Sequence, residues 1–128
     1  MKRWPGAGTA MAAMVEATGA ALAAGGAAWT AWAAWQLRAA GTPVAPRREP
    51  LVLVEEGPYR VSRNPMALGT AALLAGLPLA AGAPWLALAV PAYLLHLQRV
   101  RIPAEEARLA RRFGGWYRDY AASVRRWL

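Results

Sequence analysis

The sequence contains no cysteine, and this absence excludes disulfides, thiolate metal sites and cysteine nucleophiles. It has a single histidine, His96, so a zinc site built from histidines alone is also excluded, and no metal is expected. Acidic residues are scarce, with 7 Asp and Glu against 15 Lys and Arg, which gives a net charge of +8. Only one phenylalanine is present although 57% of the residues are hydrophobic, because alanine dominates the apolar residues.

The distribution of the charges separates two classes of partner. A basic chain is compatible with binding to nucleic acid or to anionic lipid. Long stretches of this sequence carry almost no charge, and the arginines crowd at the ends of those stretches. This pattern is typical of a membrane protein, so the lipid bilayer is the expected partner and nucleic acid is not. The 128 residues fit a single membrane domain, residues 1–128.

The first apolar segment, about residues 7–38, predicts a transmembrane helix. From Ala17 to Leu37 it has roughly 20 residues, enough to cross a bilayer core. It is rich in alanine and glycine, and small residues allow helices to approach closely. A homo-oligomer formed through this helix is therefore a further hypothesis.

The second apolar segment, residues 66–100, predicts a helical hairpin. Gly82-Ala83-Pro84 interrupts it, which divides it into helices over about Met66–Ala81 and Trp85–Arg99. Together with the first helix, the hairpin predicts an all-α integral membrane protein with about three transmembrane helices.

Two polar segments flank the hairpin. Within residues 39–65, Pro43, Pro46, Pro50 and Pro58 forbid a continuous helix, so this stretch predicts a structured loop at the membrane surface. Residues 103–128 predict an amphipathic, interfacial C-terminal helix, bent at Gly114-Gly115. Its apolar face follows helical spacing through Leu109, Phe113, Tyr117, Tyr120 and Val124.

The basic residues also predict the orientation. Apart from Lys2 and Arg3, every Lys and Arg lies at the end of the first segment (Arg38), in the polar loop, or at and after the end of the hairpin. The positive-inside rule therefore places the loop and the C-terminus in the cytoplasm, with the helices in an inner or plasma membrane. Since the hairpin returns the chain to the same face, Arg63 and the pair Glu105-Glu106 can meet in space.

Such a meeting has two interpretations that the residues alone leave open. An arginine fork suits a carboxylate, a glutamate pair suits an ammonium or ribose hydroxyls, and aromatic rings suit an adenine or a cation. S-adenosylmethionine carries all of these groups, and a nicotinamide dinucleotide carries several. Alternatively, Arg60 and Arg63 only anchor a helix at lipid headgroups, and Glu105-Glu106 only complements a helix dipole after Pro103.

A further pattern lies in the order of the motifs. The first group is Gly41-Thr42-Pro43, Leu51-Val52, Gly57-Pro58-Tyr59-Arg60 and Arg63-Asn64-Pro65-Met66 with Gly69. The second group is Glu105-Glu106, Leu109, Phe113-Gly114, Tyr117, Tyr120 and Val124-Arg125-Arg126-Trp127. In order and approximate spacing these groups resemble the isoprenylcysteine carboxyl methyltransferase family and its bacterial relatives, to which the phospholipid methyltransferases are similar.

The resemblance implies an enzyme, a membrane methyltransferase that uses S-adenosylmethionine and acts on a lipophilic or small-molecule acceptor. In that family an Arg-His-Pro-type motif and a following Glu pair form the cofactor pocket, which the C-terminal segment closes. The residues that this implies for cofactor binding are Tyr59, Arg60, Arg63, Asn64, Pro65, Glu105 and Glu106. No catalytic residue is assigned, because methyl transfer from a sulfonium depends mainly on alignment and on exclusion of water.

Two positions depart from the family pattern. Asn64 stands where many relatives have histidine; it keeps a side-chain donor and acceptor but does not titrate near neutrality. Ala67 stands where a tyrosine is frequent, so one ring of the pocket is missing. Two alternatives stay open. One is a membrane reductase using NADPH, since sterol reductases resemble this family in their C-terminal portion. The other is a non-catalytic membrane scaffold that kept the fold, which the departures at Asn64 and Ala67 favour.

Overall fold

A computed structural model of the chain describes residues 8–42 and 52–128. Within those ranges the protein is all-helical and contains no strand, which confirms the all-α fold class. Lys2, Arg3 and residues 43–51 of the predicted loop lie outside the described residues. The helices are α1 (Thr9–Ala39), α2 (Pro65–Ala80), α3 (Ala89–His96), α4 (Ile102–Phe113) and α5 (Gly115–Ser123).

Helices α1 and α2 pack antiparallel through glycines. Gly19 and Gly26 of α1 face Gly76 and Gly69 of α2, respectively. A Cβ atom added to Gly26 would lie only 2.6 Å from the carbonyl oxygen of Gly69, so the two backbones are almost in contact. In α1 the small residue recurs every seven positions along this face, which is the spacing that keeps one helix face on a partner. The face consists of Ala12, Gly19, Gly26 and Ala33, with Ala23 between them.

Helix α1 has the length and composition of a transmembrane helix. Its 31 residues extend about 46 Å, more than the bilayer core of about 30 Å. Large side chains such as Met14, Trp32 and Trp35 are exposed on the side away from α2. Helix α2 is apolar but has only 16 residues. Among the described residues α1 alone meets the criteria for a span, so the count of about three spans stays a prediction.

Beyond the hairpin turn the structure differs from the boundary expected near residues 100–103. A single helical run continues from a 3₁₀ turn at Pro84–Leu88 through α3 and a π turn at Leu97–Arg101 into α4. Pro103 has no N–H, and its ring would clash with the carbonyl of Arg99 in a regular α-helix. The π turn just before it widens the helix and accommodates the proline, so the helix continues. Glu105 and Glu106 therefore project from a helix that begins in the apolar hairpin.

The C-terminal segment has the predicted bend and forms two helices, α4 and α5. Gly114 has φ of +58°, ends α4 and allows α5 to turn back. The predicted apolar face of the tail packs on the polar loop, against Leu53 and Tyr59. Because the loop covers this face, the tail caps the loop and does not expose its apolar side to lipid.

The close contact of α1 and α2 yields a matched pair of variants. We expect Gly26→Ala to destabilise the protein by about 1–3 kcal/mol, because the added methyl group overlaps the backbone of α2. Gly25→Ala is the control: no atom lies within 4 Å of a Cβ there, so its stability should be unchanged or slightly higher. Thermal unfolding in detergent measures both, and equal melting temperatures for the two variants would contradict the packing.

Candidate functional site

The last residues of the chain are tied across the loop that precedes α2. We name residues 124–128 the C-terminal strap. The backbone N–H of Arg63 donates to the carbonyl oxygen of Arg125 at 2.9 Å, and Asn64 Nδ2 donates to the carbonyl oxygen of Arg126 at 2.9 Å. Trp127 Nε1 donates to Gln98 Oε1 at 2.9 Å, which fixes the far end of the strap to the π turn. The strap thus joins the loop to the end of the hairpin.

An ionic cluster lies beneath the strap. Arg126 binds the carboxylate of Glu106 with two donors, Nε at 2.9 Å and Nη2 at 2.6 Å. Arg63 reaches the same carboxylate with Nη1 alone, at 3.2 Å. The same Nη1 donates to the hydroxyl of Tyr117 at 3.0 Å. All three charged side chains are largely shielded from solvent, with 18% to 27% of their surface exposed.

The cluster borders a cavity of about 350 Å³, at the lower end of the size range of small-molecule sites. One part of its wall is polar and belongs to the loop and to the helical run from the π turn to α5. That wall includes Tyr59, Arg63, Asn64, Arg101, Glu105, Glu106, Arg108 and Tyr117. The other part is apolar or weakly polar and belongs to the ends of α1, α2 and α3. That wall includes Leu37, Met66, Ala67, Thr70, Tyr93 and Leu97.

The structure brings together most of the residues singled out from the sequence. The residues of that set that line the cavity are Tyr59, Arg63, Asn64, Pro65, Glu105 and Glu106. Arg60 is exposed at the end of the 3₁₀ turn Gly57–Arg60 and is not among the lining residues. Their assignment to a cofactor stays a prediction, whereas the meeting of Arg63 with Glu106 across the hairpin is a feature of the fold.

Sequence reasoning gave Arg126 no individual role and predicted Tyr117 as part of the apolar face of the tail, although both are partners in the ionic cluster. Both positions belong to the motif groups that carry the resemblance, and this was the signal that could have identified them. The charge pattern of the sequence does not distinguish Arg126, since it is one of many arginines in the tail. Only its hydrogen bonds with Glu106 distinguish it.

Arg63 keeps one donor without a partner. Its Nε atom is buried and makes no hydrogen bond to the described residues. A buried donor without a partner costs about 1–3 kcal/mol, so an acceptor that binds in the cavity would gain free energy by satisfying this one. An anion with two oxygens is the natural complement of the free edge of an arginine fork.

Glu105 is held more loosely than Glu106. It accepts from Arg101 Nε at 3.2 Å, one turn earlier on the same helical run, and both side chains are a third or more exposed. Such an exposed ion pair contributes little free energy, so a ligand cation can replace Arg101 at small cost. Glu106 instead already accepts three hydrogen bonds from the two arginines.

Two tyrosines of the site, Tyr59 and Tyr120, have a phenol whose pKa is raised. Burial raises the pKa of Tyr59, and the negative charge of Glu105 raises it further. Burial likewise raises the pKa of Tyr120, whose hydroxyl donates to the carbonyl oxygen of Tyr59 at 2.7 Å. Neither phenol is therefore suited to act as a base near neutrality.

A comparison with protein families gives one match, and it covers most of the chain. The model of the family described as "Phospholipid methyltransferase" matches residues 14–115. The matched range includes α1 to α4, the loop residues Tyr59, Arg63 and Asn64, and the pair Glu105-Glu106. Comparisons with curated proteins and with solved structures give no match.

Tyr120 yields a prediction on alkaline stability. Its raised pKa means that above pH 10 the unfolded chain loses this proton before the folded chain does, so stability falls as the pH rises. Tyr120→Phe removes this contribution. We expect the free energy of unfolding of the variant at pH 7 to be about 1 kcal/mol below that of the wild type, because the hydrogen bond is missing. Between pH 9 and about pH 11, the free energy of unfolding should fall less in the variant than in the wild type. Chemical unfolding across this range measures both, and parallel stability curves would contradict the assignment.

Proposed function

Because this chain belongs to the phospholipid methyltransferase family, a family of membrane methyltransferases, we propose that it transfers the methyl group of S-adenosylmethionine to a lipophilic or small-molecule acceptor at the membrane. The observation that carries the proposal is the buried, unpaired Nε of Arg63 in the wall of a cavity that also contains Glu105 and Tyr59. The same cavity therefore offers binding partners for an anion, a cation and an aromatic ring.

The lining residues fit the polar groups of S-adenosylmethionine. Arg63 would bind its carboxylate through the free Nε edge, since a guanidinium fork matches two carboxylate oxygens. Glu105 would accept from the ammonium group or from the ribose hydroxyls, in place of its exposed contact with Arg101. Tyr59 and Tyr117 offer ring faces and neutral hydroxyls in the same wall.

When bound, S-adenosylmethionine supplies an electrophilic methyl group on a sulfonium. The chain's own contribution is to align an acceptor with that methyl group and to exclude water. The strap supports the alignment, because its three hydrogen bonds to residues 62–64 hold in place the segment that carries the lining residues Arg63 and Asn64. A carboxylate acceptor needs no base, and for an amine or thiol acceptor the available carboxylate is Glu105.

The apolar wall supports a lipophilic acceptor. It is formed where α1, α2 and α3 end, by residues such as Leu37, Tyr93 and Leu97, so it continues the apolar surface of the hairpin. An amphiphile whose chain lies along these helices would present its polar end to the cavity. The basic loop and tail support an orientation in which this end of the bundle is cytoplasmic.

The size of the cavity favours S-adenosylmethionine over the alternative cofactor. A volume of about 350 Å³ suits a ligand with one nucleoside. A nicotinamide dinucleotide carries two nucleosides and a pyrophosphate and needs more space. A non-catalytic scaffold, for its part, gives no reason for the unpaired donor of Arg63.

The decisive measurement is calorimetric binding of S-adenosylhomocysteine to the purified protein, with NADPH titrated in parallel. We expect S-adenosylhomocysteine alone to bind. Arg63→Lys keeps the charge but loses the fork and should weaken binding roughly tenfold, and Glu105→Gln should weaken it several-fold. The control is Arg118→Ala on α5, an exposed arginine away from the cavity wall, which should bind like the wild type.

Two outcomes would contradict the proposal. Binding of NADPH in place of S-adenosylhomocysteine would favour the reductase, and binding of neither would favour the scaffold. Unchanged S-adenosylhomocysteine affinity in both the Arg63 and the Glu105 variant would place the cofactor elsewhere.

A further inference from the structure

Glu106 is shared unequally between two arginines. Arg126 engages both of its oxygens through Nε and Nη2, while Arg63 engages one oxygen through Nη1. A carboxylate prefers the two-donor arrangement, because it forms two parallel charge-assisted hydrogen bonds. Arg126 therefore occupies the two-donor position on Glu106, which Arg63 could otherwise occupy.

This sharing determines what Arg63 can bind. The Nε atom of Arg63 has no partner while Glu106 lies in the fork of Arg126. Without that fork, Glu106 could rotate onto Nε of Arg63 and satisfy a donor that is now buried and unpaired. The donor edge facing a ligand would then be taken by the protein's own carboxylate.

We infer that Arg126 is a positioning residue: it holds Glu106 in its own fork and so keeps the Nε edge of Arg63 available for the carboxylate of a ligand. The inference rests on the proposed function for the identity of that ligand, and on the hydrogen bonds alone for the geometry. It gives the C-terminal strap a chemical role besides its hydrogen bonds to residues 62–64.

The position of Arg126 is fixed independently of its side chain. Its carbonyl oxygen accepts from Asn64 Nδ2 and from Ser62 Oγ, and the preceding carbonyl accepts from the backbone of Arg63. A change of the Arg126 side chain therefore leaves the strap's own contacts in place. The fork also stays charged, since its hydrogen bonds with Glu106 raise the pKa of Arg126 further above its usual range.

The test is a double-mutant cycle on S-adenosylhomocysteine binding with Arg126→Gln, Glu106→Gln and the pair. Arg126→Gln alone should weaken binding roughly tenfold. Adding Glu106→Gln to it removes the competing carboxylate and should restore most of that loss. Loss of a nearby negative charge favours anion binding in both backgrounds. The gain in affinity from Glu106→Gln must therefore be about fivefold or more larger in the Arg126→Gln background than in the wild type.

A second readout needs no cofactor. In protein labelled with ¹⁵N-arginine, the Nε–H resonance of Arg63 is identified by its absence in Arg63→Lys. We expect Arg126→Gln to shift this resonance as Nε gains a carboxylate partner, and the added Glu106→Gln to reverse the shift. Arg125→Gln is the matched control, since the adjacent arginine has an exposed side chain and should leave the resonance unchanged.

The outcomes separate the two claims. Equal effects of Glu106→Gln in both backgrounds, or no shift of the Arg63 resonance in Arg126→Gln, would overturn the positioning role. If the wild type fails to bind S-adenosylhomocysteine while the resonance shifts as expected, the proposed function fails and the positioning role stands.

Discussion

The carboxylate of Glu106 joins three parts of the chain that are far apart in sequence. It lies on α4, accepts from Arg63 of the loop and accepts twice from Arg126 of the strap. The cluster carries two positive charges and one negative charge, so removing Glu106 would leave two partly buried guanidinium groups without a carboxylate partner. Loop, helix and strap are thus held in one arrangement by a single side chain, and the cavity wall depends on that arrangement.

The glycine contact between α1 and α2 determines where this cluster can form. Because Gly19 and Gly26 leave no side chain between the backbones, α2 lies directly on α1 and its first residues come to the end of α1. The loop residues Ser62, Arg63 and Asn64 precede α2 immediately, so they are placed at the same end. The helical run through α3 then returns to this end and carries Glu106 past the apolar region without a break.

Periodicity and charge predicted the helices, the hairpin turn and the bend at Gly114, because each depends on local properties of the chain. The proximity of Arg63 to Glu106 also followed from topology, since a hairpin returns the chain to its starting face. The continuity through Pro103 could not be predicted, because a π turn is not visible in hydropathy. The role of Arg126 was equally hidden, as it depends on carbonyl contacts with Ser62 and Asn64 that leave no sequence pattern.

On the proposed function, docking of the strap and binding of a ligand in the cavity would be physically coupled. The strap holds Arg126, Arg126 holds Glu106, and Glu106 determines which donors of Arg63 face the cavity. A ligand that binds the free edge of Arg63 binds only the docked arrangement, so by mass action it stabilises that arrangement against any in which the strap is detached. Asn64 takes part through its amide, which donates to the strap; a residue at this position need not titrate to contribute to binding. Asparagine in place of histidine at position 64 is therefore compatible with ligand binding, because the hydrogen bond to the strap needs only a side-chain donor at this position.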